Sequence, residues 1–191
     1  MHDLWTRFEN WLSEHWPEGL AGLNPPATEQ QIADLQAALG VTLPDDYIMC
    51  LKIHNGQAAN VGGMFDGYEF LSTDAILEQW TVWKGLLDGG EFVDIESSPL
   101  NAGIRSDWWN ARWIPFTHNG CGDHLCLDLA PATSGTLGQV ITMWHDSAER
   151  ELLSPSFGSW FKSYMKLVFS GEIVYSEDYD GLINREDAEA S

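Results

Sequence analysis

The sequence predicts an α+β fold, and three observations carry that prediction. Through residues 1–90, apolar positions recur every three or four residues, the spacing of amphipathic helices. Between Arg112 and Trp144 the pattern changes to short apolar or alternating runs separated by glycines, the mark of strands joined by turns. Beyond them, Phe157, Trp160, Phe161, Tyr164, Met165 and Val168 return to steps of three and four and predict a closing helix.

In chain order, Leu4, Phe8, Trp11 and Leu12 define a first amphipathic helix, with Pro17 and Gly19 beyond it. Asn24-Pro25-Pro26 is a break. Thr28 then caps a helix, with Gln31 at the reciprocal position of a capping box. Ile32, Leu35 and Leu39 form its apolar stripe, and Gly40 ends it. Leu43-Pro44-Asp45-Asp46-Tyr47 opens another helix. Proline suits its first turn, and the acidic pair suits the positive end of the helix dipole. Tyr47, Cys50, Leu51 and His54 share a face read as core, and Asn55-Gly56 stops the helix. Residues 60–67 are a glycine-rich loop with no Lys-Ser or Lys-Thr after the glycines, so they do not form a phosphate cradle. Tyr68 to Leu71 reads as a short strand. Ser72 or Thr73 caps a helix bearing Ile76, Trp80, Trp83 and Leu87, which Gly89-Gly90 ends. Residues 91–107 read as a surface connection.

Arg112 to Thr117 is the first main strand, with Pro115 marking an edge or a bulge. In His124 to Leu129, Leu125, Leu127 and Leu129 face one side and His124, Cys126 and Asp128 the other. Gly120 and Gly122 supply the positive φ that the intervening turn needs. Val140 to Trp144 is a third strand. Ser154 is read as the cap of the last long helix, with Pro155 at its first position. Gly171 ends that helix, and Ile173 to Tyr175 adds a short strand. From Glu177 onward the chain is acidic without a strong apolar period. The expected organisation is a single domain over residues 1–175 and an acidic tail, mobile at its end, over 176–191.

A chain of 191 residues fits one domain and buries about 70% of its unfolded surface without a staple. The charge is lopsided: 9 Lys and Arg against 29 Asp and Glu give a formal net charge of −20. Such a surface repels nucleic acid and anionic membranes, which argues against both as partners. It attracts a basic protein and speeds its association. Three cysteines, Cys50, Cys121 and Cys126, are too few and too odd for a disulfide framework. The N-terminal residues show no secretory pattern, and no run approaches the ~18 apolar residues of a spanning helix. The expected setting is reducing and cytoplasmic.

The sharpest metal hypothesis gathers His118, Cys121, His124, Cys126 and His145, since thiolate and imidazole suit zinc. The chain contains no Cys-x-x-Cys, and a hairpin with a buried thiol and surface histidines explains the same residues more simply. A nucleophile reading pairs Cys121 or Ser154 with His118 or His145 and Asp123 or Asp146. There is no Gly-x-Ser-x-Gly elbow, and a chain this size offers such triples by chance. Neither reading is preferred, so no cofactor, metal or catalytic residue is expected.

The order of these features resembles the Smi/Knr cell-wall-regulator family of the SUKH superfamily. The likeness rests on Trp113-Ile114-Pro115-Phe116, the turn Asn119-Gly120-Cys121-Gly122-Asp123, and Leu125-Cys126-Leu127-Asp128-Leu129. It continues through Gly138-Gln139-Val140-Ile141, Trp144-His145-Asp146 and Pro155-Ser156-Phe157. Upstream, Leu43-Pro44, Tyr47 and Asn55-Gly56 also match. The resemblance implies a twisted, mainly antiparallel sheet with helices packed against it. It also implies bacterial immunity proteins that neutralise polymorphic toxins, often nucleases, or fungal regulators linked to cell-wall assembly. It carries no catalytic residues. The first expectation is therefore a non-enzymatic immunity-type protein that covers a basic surface of a toxin. Its candidate contacts are Asp66, Glu69, Asp123, Asp146 and Glu149, chosen for charge near turns and motif ends. The alternatives are a regulatory scaffold of the cell-wall-regulator type and a metal-dependent enzyme. The sequence assigns no oligomeric state.

Overall fold

The computed structural model describes residues 1–190 of the chain. The N-terminal helices are α1 (His2–His15), α2 (Pro17–Ala21), α3 (Glu29–Leu39) and α4 (Asp45–Leu51). On α1, Trp5, Phe8 and Leu12 recur at helical spacing and are fully buried. At the start of α3 the capping box is complete: Thr28 Oγ1 accepts from the Gln31 N–H at 3.1 Å, and the Thr28 N–H donates to Gln31 Oε1 at 2.9 Å. Gly40 ends the helix in the left-handed conformation, at φ 66°. Thr28→Ala removes the acceptor and is expected to cost about 1 kcal/mol, read as a lower urea midpoint at unchanged m-value.

The strand β1 (Glu69–Phe70) leads into α5 (Thr73–Asp88), whose N-cap is Ser72. Next come β2 (Ser98–Pro99), β3 (Trp113–Pro115), β4 (Thr117–His118), β5 (His124–Asp128) and β6 (Gln139–Met143). The chain closes with β7 (Glu149–Arg150), β8 (Leu152–Ser154), α6 (Phe157–Ser170), β9 (Ile173–Ser176), β10 (Gly181–Asn184) and α7 (Arg185–Glu189). The architecture is α+β. The main sheet is antiparallel in the order β3-β5-β6-β8. Pro115 ends its edge strand, where a missing donor costs no ladder bond. Short pairs flank it: β1 with β4 and β9 with β10 antiparallel, β2 with β7 parallel.

Both faces of the main sheet are covered. Ile114, Leu127 and Val140 lie in the large core with Tyr47, Phe157, Phe161 and Met165. Trp113, Cys126, Ile141 and Met143 lie in a second cluster with Trp83, Ile104 and Trp109. This corrects the expectation that the histidines of the hairpin lie at the surface in one case: His124 is fully buried, whereas His145 is exposed. It also corrects the reading of residues 91–107 as a mere surface connection. Ile104 from that segment is 4% exposed, and β2 pairs with β7.

Two further readings change. Ser154 lies in β8 opposite Val140, and the cap of α6 is Ser156, whose Oγ accepts from the Ser159 N–H at 3.2 Å. The stretch taken as a tail, 176–191, contributes β10, where Leu182 is fully buried and Gly181 sits opposite Ser176. Leu182 also exchanges backbone bonds with Gly63 and Gly67, both at 2.8 Å. The fold thus runs past residue 175, and Ser191 lies outside the described residues. Among the described residues no helix is long and apolar enough to cross a membrane.

Candidate partner-binding face

The turn between β4 and β5 is built by one side chain. Asn119 Oδ1 accepts from the backbone N–H groups of Cys121 and Asp123, at 2.9 and 3.0 Å. Gly120 and Gly122 take φ of 82° and 105°, the region only glycine enters without strain. A Cβ on Gly122 would also stand 3.2 Å from His145 Cβ.

Asp123 then ties this turn to the end of β6. Its Oδ1 accepts from the His145 backbone N–H and from His145 Nδ1, both at 2.8 Å, and its Oδ2 from Asn119 Nδ2 at 2.8 Å. Partial burial pushes the carboxyl up, but the His145 and Asn119 donors together outweigh it and hold Asp123 below its ordinary value. The same hydrogen bond raises the His145 imidazole, with the charges of Asp146 and Asp123 adding to it. Asp146 is exposed, with its carboxylate 3.9 Å from His145 Nε2.

Glu69 reaches the same region through the β1–β4 ribbon, where it sits opposite His118, and Asp66 lies in the loop before β1. Asp66 holds a positive φ of 53°, and its Oδ1 accepts from the Asn184 N–H at 2.9 Å. Burial raises its carboxyl, the Asn184 donor lowers it, and the Asp187 charge raises it again, for a net rise. Burial, then the charge of Glu78, raises Glu69. Tyr68 feels both ends of the group: burial, then the charges of Asp123 and Asp66, push its phenol up to about 12. Half-burial lowers His118, against the pull of Asp123. Glu149 lies on β7, exposed and opposite Ser98 of β2.

The structure ties Asp123 and Asp146 to the β4–β5 turn through His145, brings Glu69 beside His118, links Asp66 through Tyr68, and places Glu149 on β7. Tyr68, His118 and His145 belong to the same face, and charge alone did not select them. The sequence signal that points there is the Asn119-Gly120 turn, which forces β4 and β5 together.

Asp123, His145 and Asp146 are the one group among the described residues whose possible ligand atoms lie within 4.8 Å of one another. Both Asp123 oxygens and His145 Nδ1 are already engaged with each other or with Asn119, so the arrangement acts as a turn staple. The five residues weighed as zinc ligands are not gathered. His124 and Cys126 are sealed in the interior, while Cys121 is exposed on the turn. Burial drives the Cys50 and Cys126 thiols far above the ordinary range, the opposite of an activated nucleophile. What the face offers is two carboxylates held by hydrogen bonds, Asp123 and Asp66, with the exposed Asp146 beside the turn.

The model of the SMI1 / KNR4 family (SUKH-1) matches residues 26–163. The chain is 24% identical to the cell wall assembly regulator SMI1 of Saccharomyces cerevisiae, over 92% of this chain and 42% of that protein. It is 25% identical to a glucan synthesis regulatory protein of Neurospora crassa, over 95% of this chain and 41% of that protein. It is 26% identical to the cell wall biosynthesis/cell cycle regulator smi1 of Schizosaccharomyces pombe, over 94% of this chain and 38% of that protein. The chain thus spans about two fifths of the length of these curated relatives.

Proposed function

From the premise that the chain belongs to the SMI1/KNR4 family (SUKH-1), we propose that it is a non-catalytic regulatory domain that acts by binding other proteins. The observation that carries this reading is the family match across most of the chain, with relatives named as regulators of cell-wall assembly and glucan synthesis. The physical support is the face around Asp123. Carboxylates fixed by hydrogen bonds lose little freedom on binding, and a formal net charge of −20 draws a basic partner in. Nucleic acid and membrane are disfavoured by the same charge. The proposed setting is the cytoplasm.

A second reading keeps the immunity role, in which the acidic surface occludes a basic toxin. The charge imbalance is the observation that favours it. One experiment separates the two: affinity capture of partners with the full chain, identification by mass spectrometry, and measurement of each affinity against salt. A cellular regulatory or biosynthetic enzyme supports the regulator, and a basic toxin supports immunity. In both cases affinity is expected to fall at least about tenfold between low and high salt. The exposed charge reversal Asp146→Lys is expected to slow association. Turnover of a substrate by the purified chain, abolished by a single interior substitution, would overturn both.

A further inference from the structure

The nine basic residues of this acidic chain are not spread evenly. Lys52 pairs with Glu29, Lys84 with Asp88 and Arg105 with Asp107. Arg150 is buried, and Arg185 donates to the Gly171 carbonyl. Of the remaining four, Arg7, Lys162 and Lys166 line one groove of about 670 Å³ between α1 and α6. No carboxylate among the described residues lies within 4.0 Å of these three cations.

The floor between them is apolar. Leu4, Met165 and Phe169 line it, and the Arg7 guanidinium lies 4.3 Å from the centre of the Phe169 ring. Lys162 and Lys166 stand one turn apart on the outward side of α6, exposed, with Ser159 and Ser170 at the two ends of the groove. At 1.5 Å per residue the stretch from Ser159 to Ser170 runs roughly 16 Å, about three turns of a second helix.

We propose that this groove docks an acidic amphipathic helix of a protein partner. Apolar side chains at i and i+3 or i+4 would cover the half-buried Leu4 and Phe169, and flanking carboxylates would meet Lys162, Lys166 and Arg7. The charge argument selects a short segment over a polyanion. A nucleic acid or an anionic membrane extends beyond the groove and meets a surface of net charge −20, whereas a helix of a few turns keeps its carboxylates within a Debye length of the three cations. The site is opposite in sign to the face around Asp123, and it stands whether or not the regulatory reading does.

The test is fluorescence anisotropy with the full chain and two labelled 16-residue amphipathic peptides, one of leucine and glutamate and one with lysine for every glutamate. The acidic peptide is expected to bind at least about tenfold more tightly than the basic one. The double reversal K162E/K166E should weaken it at least about tenfold more, with K162Q/K166Q in between and thermal unfolding unchanged, since both side chains are exposed. Failure of the acidic peptide to bind at about 1 mM, equal binding of both peptides, or indifference to the reversal would overturn the proposal. So would lysine-dependent capture by vesicles containing phosphatidylserine without peptide binding, which would assign the groove to a membrane.

Discussion

Arg150→Ala is expected to lower stability by about 4 kcal/mol, comparable to emptying a core phenylalanine. Arg150 is fully buried, and no carboxylate among the described residues pairs with it. Its Nη1 donates to the carbonyls of Ser147 and Glu149, and its Nη2 to that of Trp108, all at 2.7 Å. The guanidinium also lies 5.3 Å from the Trp108 ring and 5.9 Å from the Trp113 ring. Carbonyl dipoles and ring faces thus replace the missing counter-ion. Burial pushes the guanidinium down to about 10, which leaves it charged at neutral pH. Nε is buried with no partner, a cost that removal of the side chain would relieve. Against that relief stand three carbonyls deprived of donors and a cavity the size of the side chain, and these dominate. Arg150→Met keeps the apolar stem but loses the donors, so it should cost roughly half as much. Urea unfolding reads both, and the alanine variant should melt roughly 8–16 °C lower. A loss under about 1 kcal/mol would show that the carbonyls find other donors.

Arg150 also shows where the sequence stops being legible. Nothing local marks it as buried, because the rings that cover it, Trp108 and Trp113, lie some forty residues earlier in the chain. Features that depend on neighbours in sequence were readable. The Thr28–Gln31 box, the Gly40 stop and the apolar stripe of α6 each lie within a few turns of one helix. The cap of α6 lies at Ser156, two residues past the position the sequence predicts, for a physical reason. Pro155 suits a first helical position after Ser154, but pairing of Ser154 with Val140 holds it in β8 and moves the helix start to Phe157. The two-residue strands β2 and β7 are too short to carry a pattern, and Leu182-Ile183 is too short a run to reveal a strand inside an acidic stretch.

The candidate face divides the same way. All five candidates follow from charge near turns and motif ends, and that criterion does not separate Asp123, which the Asn119 turn fixes, from Glu149 on the β2–β7 pair. The alternation of β5 correctly set Leu125 and Leu127 against His124 and Cys126. It could not say that Trp83 from α5 and Trp109 from the preceding loop would seal the second side.

That seal has a consequence for pH. Acidification from pH 7 to pH 4 is expected to remove about 3 kcal/mol of stability through His124 alone. Nδ1 lies 2.7 Å from the Thr117 carbonyl and must carry the hydrogen, while Nε2 accepts from the Trp83 indole N–H at 3.2 Å. Only the neutral Nδ1–H form satisfies both contacts, since a second proton would set an N–H against the Trp83 N–H. Burial, reinforced by the His118 ring stacked at 5.1 Å and opposed by the Thr117 carbonyl and Asp123, pushes the imidazole down to about 4. The unfolded chain binds this proton near the ordinary value of about 6.5, so between the two values it holds more protons than the fold does. The contribution is complete above about 6.5 and drains away as pH falls toward 4. Burial raises the carboxyls of Asp66, Glu69 and Asp128, which work in the opposite direction on acidification, so total stability is the wrong readout. The discriminating quantity is the difference in unfolding free energy between wild type and His124→Leu, followed from pH 7 to pH 4. Contributions from the three carboxyls cancel in that difference, which should shrink by about 3 kcal/mol. If the two stability curves run parallel across that range, the histidine is not the group that titrates.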